Sequence, residues 1–179
     1  MAQEMRKKVI FVTVGTTRFD LLIDNVTKPA ALEWMASNGY TNLVIQYGRG
    51  NKPTLPQNSP IICQMYDFKD NLDQDMKEAA LILSHAGAGT VMEGLKKKKR
   101  LVVVINTNLM NNHQEELANA MSSRGFLFVV SEPKDLLNEE VWNDFDSFIP
   151  IPHEGGDPYD FARLLDNHMG IREEKLKIK

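Results

Sequence analysis

Apolar residues along the chain gather in short β-branched or aromatic runs that alternate with longer stretches of helical spacing. Val9-Ile10-Phe11-Val12-Thr13-Val14 has no helical period and predicts a buried first strand running into Gly15-Thr16-Thr17. From Asp20 a helical stretch continues, with a break or kink at Pro29, through Leu32, Trp34 and Met35 to Gly39. Leu43 to Tyr47 and Ile61 to Tyr66 predict two further strands, separated by Gly48-Arg49-Gly50 and a proline-rich loop. Asn71 to Ala80 reads as a helix, and Ala79 to Leu83 as a buried strand leading to Ser84-His85-Ala86-Gly87-Ala88-Gly89-Thr90 and a further helix. Leu101 to Ile105 and Phe126 to Val130 complete the strands, with a helix from His113 to Arg124 between them and Gly125 as its stop. The alternation predicts an α/β fold with a mostly parallel sheet flanked by helices. Residues 131–179 read as a less regular segment, with Trp142, Phe145 and Phe148, ending in a helix from Tyr159 to Met169 and a charged tail.

Composition narrows the picture. A chain of 179 residues with 42% hydrophobic and 25% charged content is expected to form one domain, residues 1–179, with its own core. The net charge of −3 argues against general nucleic-acid binding, which favours a basic surface. The single cysteine, Cys63, rules out an internal disulfide and fits a reducing compartment. Met1 to Lys8 is polar, the run Val9 to Val14 is too short for a signal-peptide core, and nothing approaches the roughly 20 apolar residues of a membrane span. The expectation is a cytosolic chain whose membrane association comes through a partner.

The candidate chemistry centres on the strand, glycine turn and helix start around Gly87 and Gly89. Glycines there allow positive φ and remove the Cβ that would keep a ligand off the backbone, while the helix beyond offers unpaired N–H groups and its positive dipole end to phosphate. One turn on, Glu93 offers a carboxylate that can accept bonds from the vicinal hydroxyls of a ribose. A bare β-to-α glycine turn remains an equal reading at this point. The dinucleotide fingerprint lacks its third glycine, and Leu95-Lys96 stands where a P-loop needs Lys-Ser or Lys-Thr. Phe68 ends a strand on the sheet edge where a flat base could lie, with core packing as the alternative. Asn112, His113 and Gln114 at a helix start could grip sugar hydroxyls or could simply cap the helix. Asp73-Gln74-Asp75 matches a metal-binding pattern only weakly, and no histidine and carboxylate cluster has metal spacing. The run Lys96 to Arg100 reads first as cations at a helix C-terminus and second as a membrane-surface contact.

Phe11 to Thr17, Ser84 to Thr90 and Leu109 to Ala118, in that order and spacing, resemble the cytosolic catalytic subunits of the eukaryotic UDP-N-acetylglucosamine transferase of dolichol-linked N-glycan assembly, in glycosyltransferase family 28. More distantly they are similar to the C-terminal, donor-binding half of bacterial lipid-linked transferases. The resemblance implies a Rossmann-like domain equivalent to the C-terminal half of a GT-B glycosyltransferase. It also implies an inverting transfer from UDP-N-acetylglucosamine to dolichyl-diphosphate-N-acetylglucosamine, on the cytosolic face of the endoplasmic reticulum, with a membrane-anchored acceptor-binding subunit as partner; no cofactor is expected, and a metal is not demanded, because the helix dipole and N–H groups do part of what a cation does elsewhere. It assigns the diphosphate to Gly87, Ala88, Gly89 and Thr90, the ribose to Glu93, and the donor sugar to Gln114 with His113. Gly15 and Thr16 would line the cleft, the segment around Phe68 would receive the uracil, and His85 would sit at the cleft floor. His85 and His113 are the catalytic candidates, with the general base expected from the partner. Relatives carry a glycine-lysine-proline turn where this chain has Lys97 to Arg100. The competing functions are a soluble UDP-sugar epimerase, for which the chain is short, and a non-catalytic nucleotide-sugar sensor or adaptor.

Overall fold

The computed structural model describes residues 7–106 and 112–152, apart from the side chains of 112–114. Val9–Thr13 (β1), Asn42–Gln46 (β2), Ile62–Tyr66 (β3), Ala79–His85 (β4), Arg100–Val104 (β5) and Phe128–Val130 (β6) form one sheet. Its order is β3-β2-β1-β4-β5-β6 and every neighbouring pair is parallel. Parallel strands need crossovers that cover both faces, so the central strands are continuous apolar runs. All five residues of β1 are buried.

Alternate side chains feed two cores. Ile10, Val12, Leu43, Ile45, Leu81, Leu83, Val102 and Val104 pack against Asp20–Val26 (α1) and Pro29–Ser37 (α2). Phe11, Val44, Ile82, Leu101 and Val103 face Asp73–Glu78 (α3), Ala88–Lys96 (α4) and Asn112–Ser122 (α5). The result is a three-layer sandwich, with α1 and α2 between β1 and β2 and one of α3, α4 and α5 in each later crossover from β3 to β6.

Several boundaries differ from the sequence reading, for local reasons. Of the break or kink expected at Pro29 it is the break that forms: Pro29 starts a separate helix, because Lys28 before it is extended at φ −67 and ψ 148. The helix expected over 71–80 is only α3, since Ala79 already pairs with Val9 in the sheet. Phe126 does not open the last strand. Its N–H bonds to the Met121 carbonyl at the end of α5, and Gly125 turns there at φ +74. Residues 131–152 are more regular than expected, with a 3-10 turn at Pro133–Leu137 and a helix at Glu139–Ser147 (α6). Asn138 caps α6, and Trp142 and Phe145, three residues apart, bury against Trp34 with ring centroids 4.8 and 5.5 Å away. The helix expected over 159–169 lies outside the described residues.

The cation run is absorbed into the fold. Lys99 Nζ donates to the carbonyls of Lys77 and Ala79 at the end of α3, and Arg100 Nη2 donates to those of Phe145 and Asp146 at the end of α6. Each thus satisfies carbonyls that a helix C-terminus leaves open, on a neighbouring helix and not on α4. Lys98 takes φ 53 in the turn from α4 to β5, a left-handed conformation that costs a residue with a Cβ about 1–2 kcal/mol. Lys98→Gly is therefore expected to raise stability by about 1 kcal/mol in urea unfolding; an unchanged midpoint would show that the turn carries no strain.

Candidate functional site

β1 connects towards β2 and β3, whereas β4 connects towards β5 and β6, so the chain departs in opposite directions from two adjacent strands. Their carboxyl ends leave the crevice at which open α/β sheets take ligands. Polar residues are buried along this edge: Gln46 on β2, Thr13 on β1, Ser84 and His85 on β4, and Asn106 after β5. Thr13 Oγ1 donates to Gln46 Oε1 at 2.5 Å and accepts from the Gly15 N–H at 3.1 Å, which fixes the loop leaving β1. Gly15 itself sits at φ +58.

His85 is only 5% exposed, and its ring lies between the two glycine loops. A Cβ on Gly15 would lie 3.2 Å from its Cε1, and one on Gly87 would lie 2.5 Å from its Nε2. Burial lowers the imidazole's pKa from its ordinary value, against the opposing pull of a hydrogen bond with the Thr13 backbone, so the ring is neutral at pH 7. Nδ1 is buried without a hydrogen-bond partner, as is Ser84 Oγ. Gly87 is thus required by the imidazole beside it. Neither glycine uses the left-handed freedom open to it: Gly87 has φ −76, and Gly89 is an ordinary residue of α4. The strand continues to His85 and the helix starts at Ala88, so no left-handed turn is needed between them.

Gly87 is the N-cap of α4 and no side chain caps it. The first helical bond runs from Val91 N–H to the Gly87 carbonyl at 3.0 Å, so the N–H groups of Ala88, Gly89 and Thr90 precede the helix's own ladder. Among the described residues nothing lies within 4 Å of where a Gly89 Cβ would stand, so none of them demands the missing side chain. Val91, Gly94 and Leu95 bury the inner face of α4, while Glu93 is 44% exposed, 3.6 Å from Lys97.

Of the other predicted residues, Thr16 is exposed on the loop after β1, and Phe68 is 56% exposed just beyond β3, its N–H bonded to the Asp67 carboxylate. Phe68 does not pack in the core. Asn112, His113 and Gln114 form the first turn of α5, which begins on the same sheet edge because it follows β5; their side chains lie outside the described residues. Arg49 is exposed, with its backbone N–H on the Thr17 carbonyl. The Asp-x-Asp pair is taken up by cations: Asp73 by Lys77 and Lys97, and Asp75 by Lys69 and the Tyr66 hydroxyl. Among the described residues no group of histidine, cysteine and carboxylate side chains could hold a metal ion, and no helix is long and apolar enough to cross a membrane.

Sequence reasoning missed the support beneath these loops. Gly48 N–H bonds to the Asp67 carbonyl, Arg49 N–H to Thr17, and Asn51 N–H to the Asp20 carboxylate, which ties the ends of β1, β2 and β3 together. The glycines at 48 and 50 carried the only signal, and their spacing alone does not say which loop they meet.

Comparison with known proteins follows the same outline. The model of the glycosyltransferase family 28 C-terminal domain matches residues 9–140. The chain is 48% identical over 122 residues to the human UDP-N-acetylglucosamine transferase subunit ALG13, and 33% identical over 124 residues to that of Yarrowia lipolytica. Each match covers 68% of this chain, but only 11% of the human protein and 63% of the yeast one. An NMR structure of ALG13 superposes with a TM-score of 0.67 at 21% identity, over 91% of this chain and 97% of that one. The crystal structure of Acinetobacter baumannii MurG gives 0.62 at 18% identity, with 94% of this chain covering 51% of that enzyme. At these identities the superpositions speak to the fold, a helix-flanked parallel sheet equivalent to one half of a two-domain transferase. By its sequence match and its architecture, the chain belongs to the family of glycosyltransferase family 28 C-terminal domains.

Proposed function

We propose that the chain is the donor-binding, catalytic half of a UDP-N-acetylglucosamine transferase that extends dolichyl-diphosphate-N-acetylglucosamine by its second sugar. A membrane-anchored acceptor-binding subunit completes it at the cytosolic face of the endoplasmic reticulum. The observation that carries this reading is the uncapped N-terminus of α4 at the switch-point crevice, with open space over Gly89, in a chain so similar to transferase subunits.

The chemistry follows from where charge develops. An acceptor hydroxyl attacks the anomeric carbon, the bond to the diphosphate breaks, and UDP departs with the extra negative charge. The N–H groups of Ala88, Gly89 and Thr90 and the dipole of α4 stand where that charge grows, already oriented. Glu93 accepts from the ribose hydroxyls, Phe68 meets the uracil, and Gly15 and Thr16 line the opposite wall. Asn112, His113 and Gln114 in the first turn of α5 take the donor sugar. His85 forms the floor beneath both loops, neutral and therefore not itself a charge for phosphate. Attack from the face opposite the leaving group inverts the anomeric centre, and the acceptor subunit supplies the base.

The test is reconstitution with the acceptor-binding subunit and an assay of transfer from UDP-N-acetylglucosamine. The wild type is expected to transfer only with its partner. Glu93→Ala should lower kcat/KM by about 10- to 100-fold, the effect of losing hydrogen bonds to a charged acceptor. Donor binding without transfer in the assembled pair would instead make the chain a nucleotide-sugar sensor.

A further inference from the structure

Glu93 stands on α4 one turn below the uncapped N–H groups, with its carboxylate on the helix surface. A glutamate so exposed samples several rotamers, and only some of them offer the carboxylate to a pair of vicinal hydroxyls. Here it is restrained from the next turn. Lys97 Nζ lies 3.6 Å from Glu93 Oε1, in the Glu-to-Lys i,i+4 order that suits a helix. The same ammonium pairs with Asp73 Oδ1 on α3, and Asp73 Oδ2 pairs with Lys77 at 2.6 Å. Charges therefore alternate along one row, Lys77, Asp73, Lys97, Glu93, with two i,i+4 pairs joined by a single bridge between helices. Lys97 is the most covered of the four, its side chain 19% exposed.

We propose that Lys97, anchored by Asp73, is the positioning residue for Glu93, holding the carboxylate in the orientation that grips the ribose of the nucleotide donor. This rests on the ribose-binding role given to Glu93 above. A carboxylate has about four lone-pair sites, so engagement of Oε1 by one ammonium leaves room for two hydroxyls. The row also gives Asp73 a use that the metal-like pattern at Asp73-Gln74-Asp75 obscures: it fixes a lysine and not an ion.

The test uses the reconstituted two-chain enzyme and two donors, UDP-N-acetylglucosamine and its analogue lacking both ribose hydroxyls. With the natural donor, Lys97→Met and Asp73→Asn are each expected to raise KM about two- to fivefold at unchanged kcat, in keeping with the modest strength of exposed pairs, and Lys97→Arg to restore it. With the analogue, both penalties should vanish together with that of Glu93→Ala. Equal weakening of both donors would mark Lys97 as a merely structural residue and overturn the proposal. So would an unchanged KM in both variants while Glu93→Ala still raises it, and in either case the ribose role of Glu93 would stand. If Glu93→Ala changed KM for neither donor, the ribose role would fall first and the proposal with it. Should Lys97→Met fail to fold, Asp73→Asn on the surface of α3 carries the same comparison.

Discussion

Gly89→Ala is expected to weaken UDP binding by about 10- to 100-fold without lowering the stability of the fold. The new methyl group meets no atom of the described residues within 4 Å beyond its chain neighbours and its own helix backbone, and position 89 has an ordinary helical φ. Alanine is the better helix residue, so stability should hold or rise by up to about 0.5–1 kcal/mol. The same methyl group, however, stands over N–H groups that precede the helical ladder. Losing one bond from such a group to a phosphate costs about 1.5–3 kcal/mol, which is one to two decades of affinity. Gly87→Ala behaves oppositely. Its Cβ would lie 2.5 Å from Nε2 and 2.7 Å from Cε1 of a buried imidazole, an overpacking that costs about 1–3 kcal/mol of stability. Calorimetric titration with UDP and urea unfolding, run on both variants, separate the two glycines; equal stability losses would show that position 89 is a packing glycine as well.

The largest loss of stability is expected from Gly48→Ala, at about 3 kcal/mol or more in urea unfolding. The residue sits at φ +59, and an added Cβ would overlap the Thr17 carbonyl oxygen and lie 2.8 Å from that of Gly15. Both obstacles are backbone, so no side-chain rotation relieves them. Backbone movement would break the bonds from Gly48 to Asp67 and from Arg49 to Thr17, releasing the loop that positions Gly15 and Thr16. Gly39→Ala provides the control. That residue has φ +76 with nothing within 4 Å of the added atom, so only the left-handed cost of about 1–2 kcal/mol remains. A Gly48 variant no weaker than the Gly39 variant would mean that the loops move freely.

The layered sheet was legible because its strands are buried on both faces and read as unbroken apolar runs, as in Val9 to Val14 and Leu101 to Ile105. Family resemblance then carried the reading from a glycine turn to a donor-binding half, which periodicity alone left open. What the pattern hid depends on contacts distant in sequence. Trp142 and Phe145 looked like stray aromatics because their partner, Trp34, lies more than a hundred positions away. The cations from Lys97 to Arg100 read in sequence as stabilising the end of their own helix, yet three of them cap or pair with α3 and α6. The glycines at 87 and 89 read alike in sequence, whereas one makes way for His85 and the other leaves a surface open. That distinction needs the position of an imidazole, which no local motif encodes.

The site is economical in its parts. A buried polar row, Gln46, Thr13, Ser84 and His85, lies beneath the two loops, and the donors that the proposed function uses above it are mostly backbone N–H. Such donors need no titration and no rotamer search, which suits stabilisation of a leaving diphosphate.

The most direct measurement is a titration of the isotopically labelled chain with UDP, alone and with its acceptor-binding subunit, followed through backbone amide resonances. Large shifts are expected at Ala88, Gly89 and Thr90, smaller ones near Gly15 and Phe68, and none in α6, which packs in the core on the other side of the sheet from α4. Shifts absent from residues 88–90 in both titrations would contradict the proposed function.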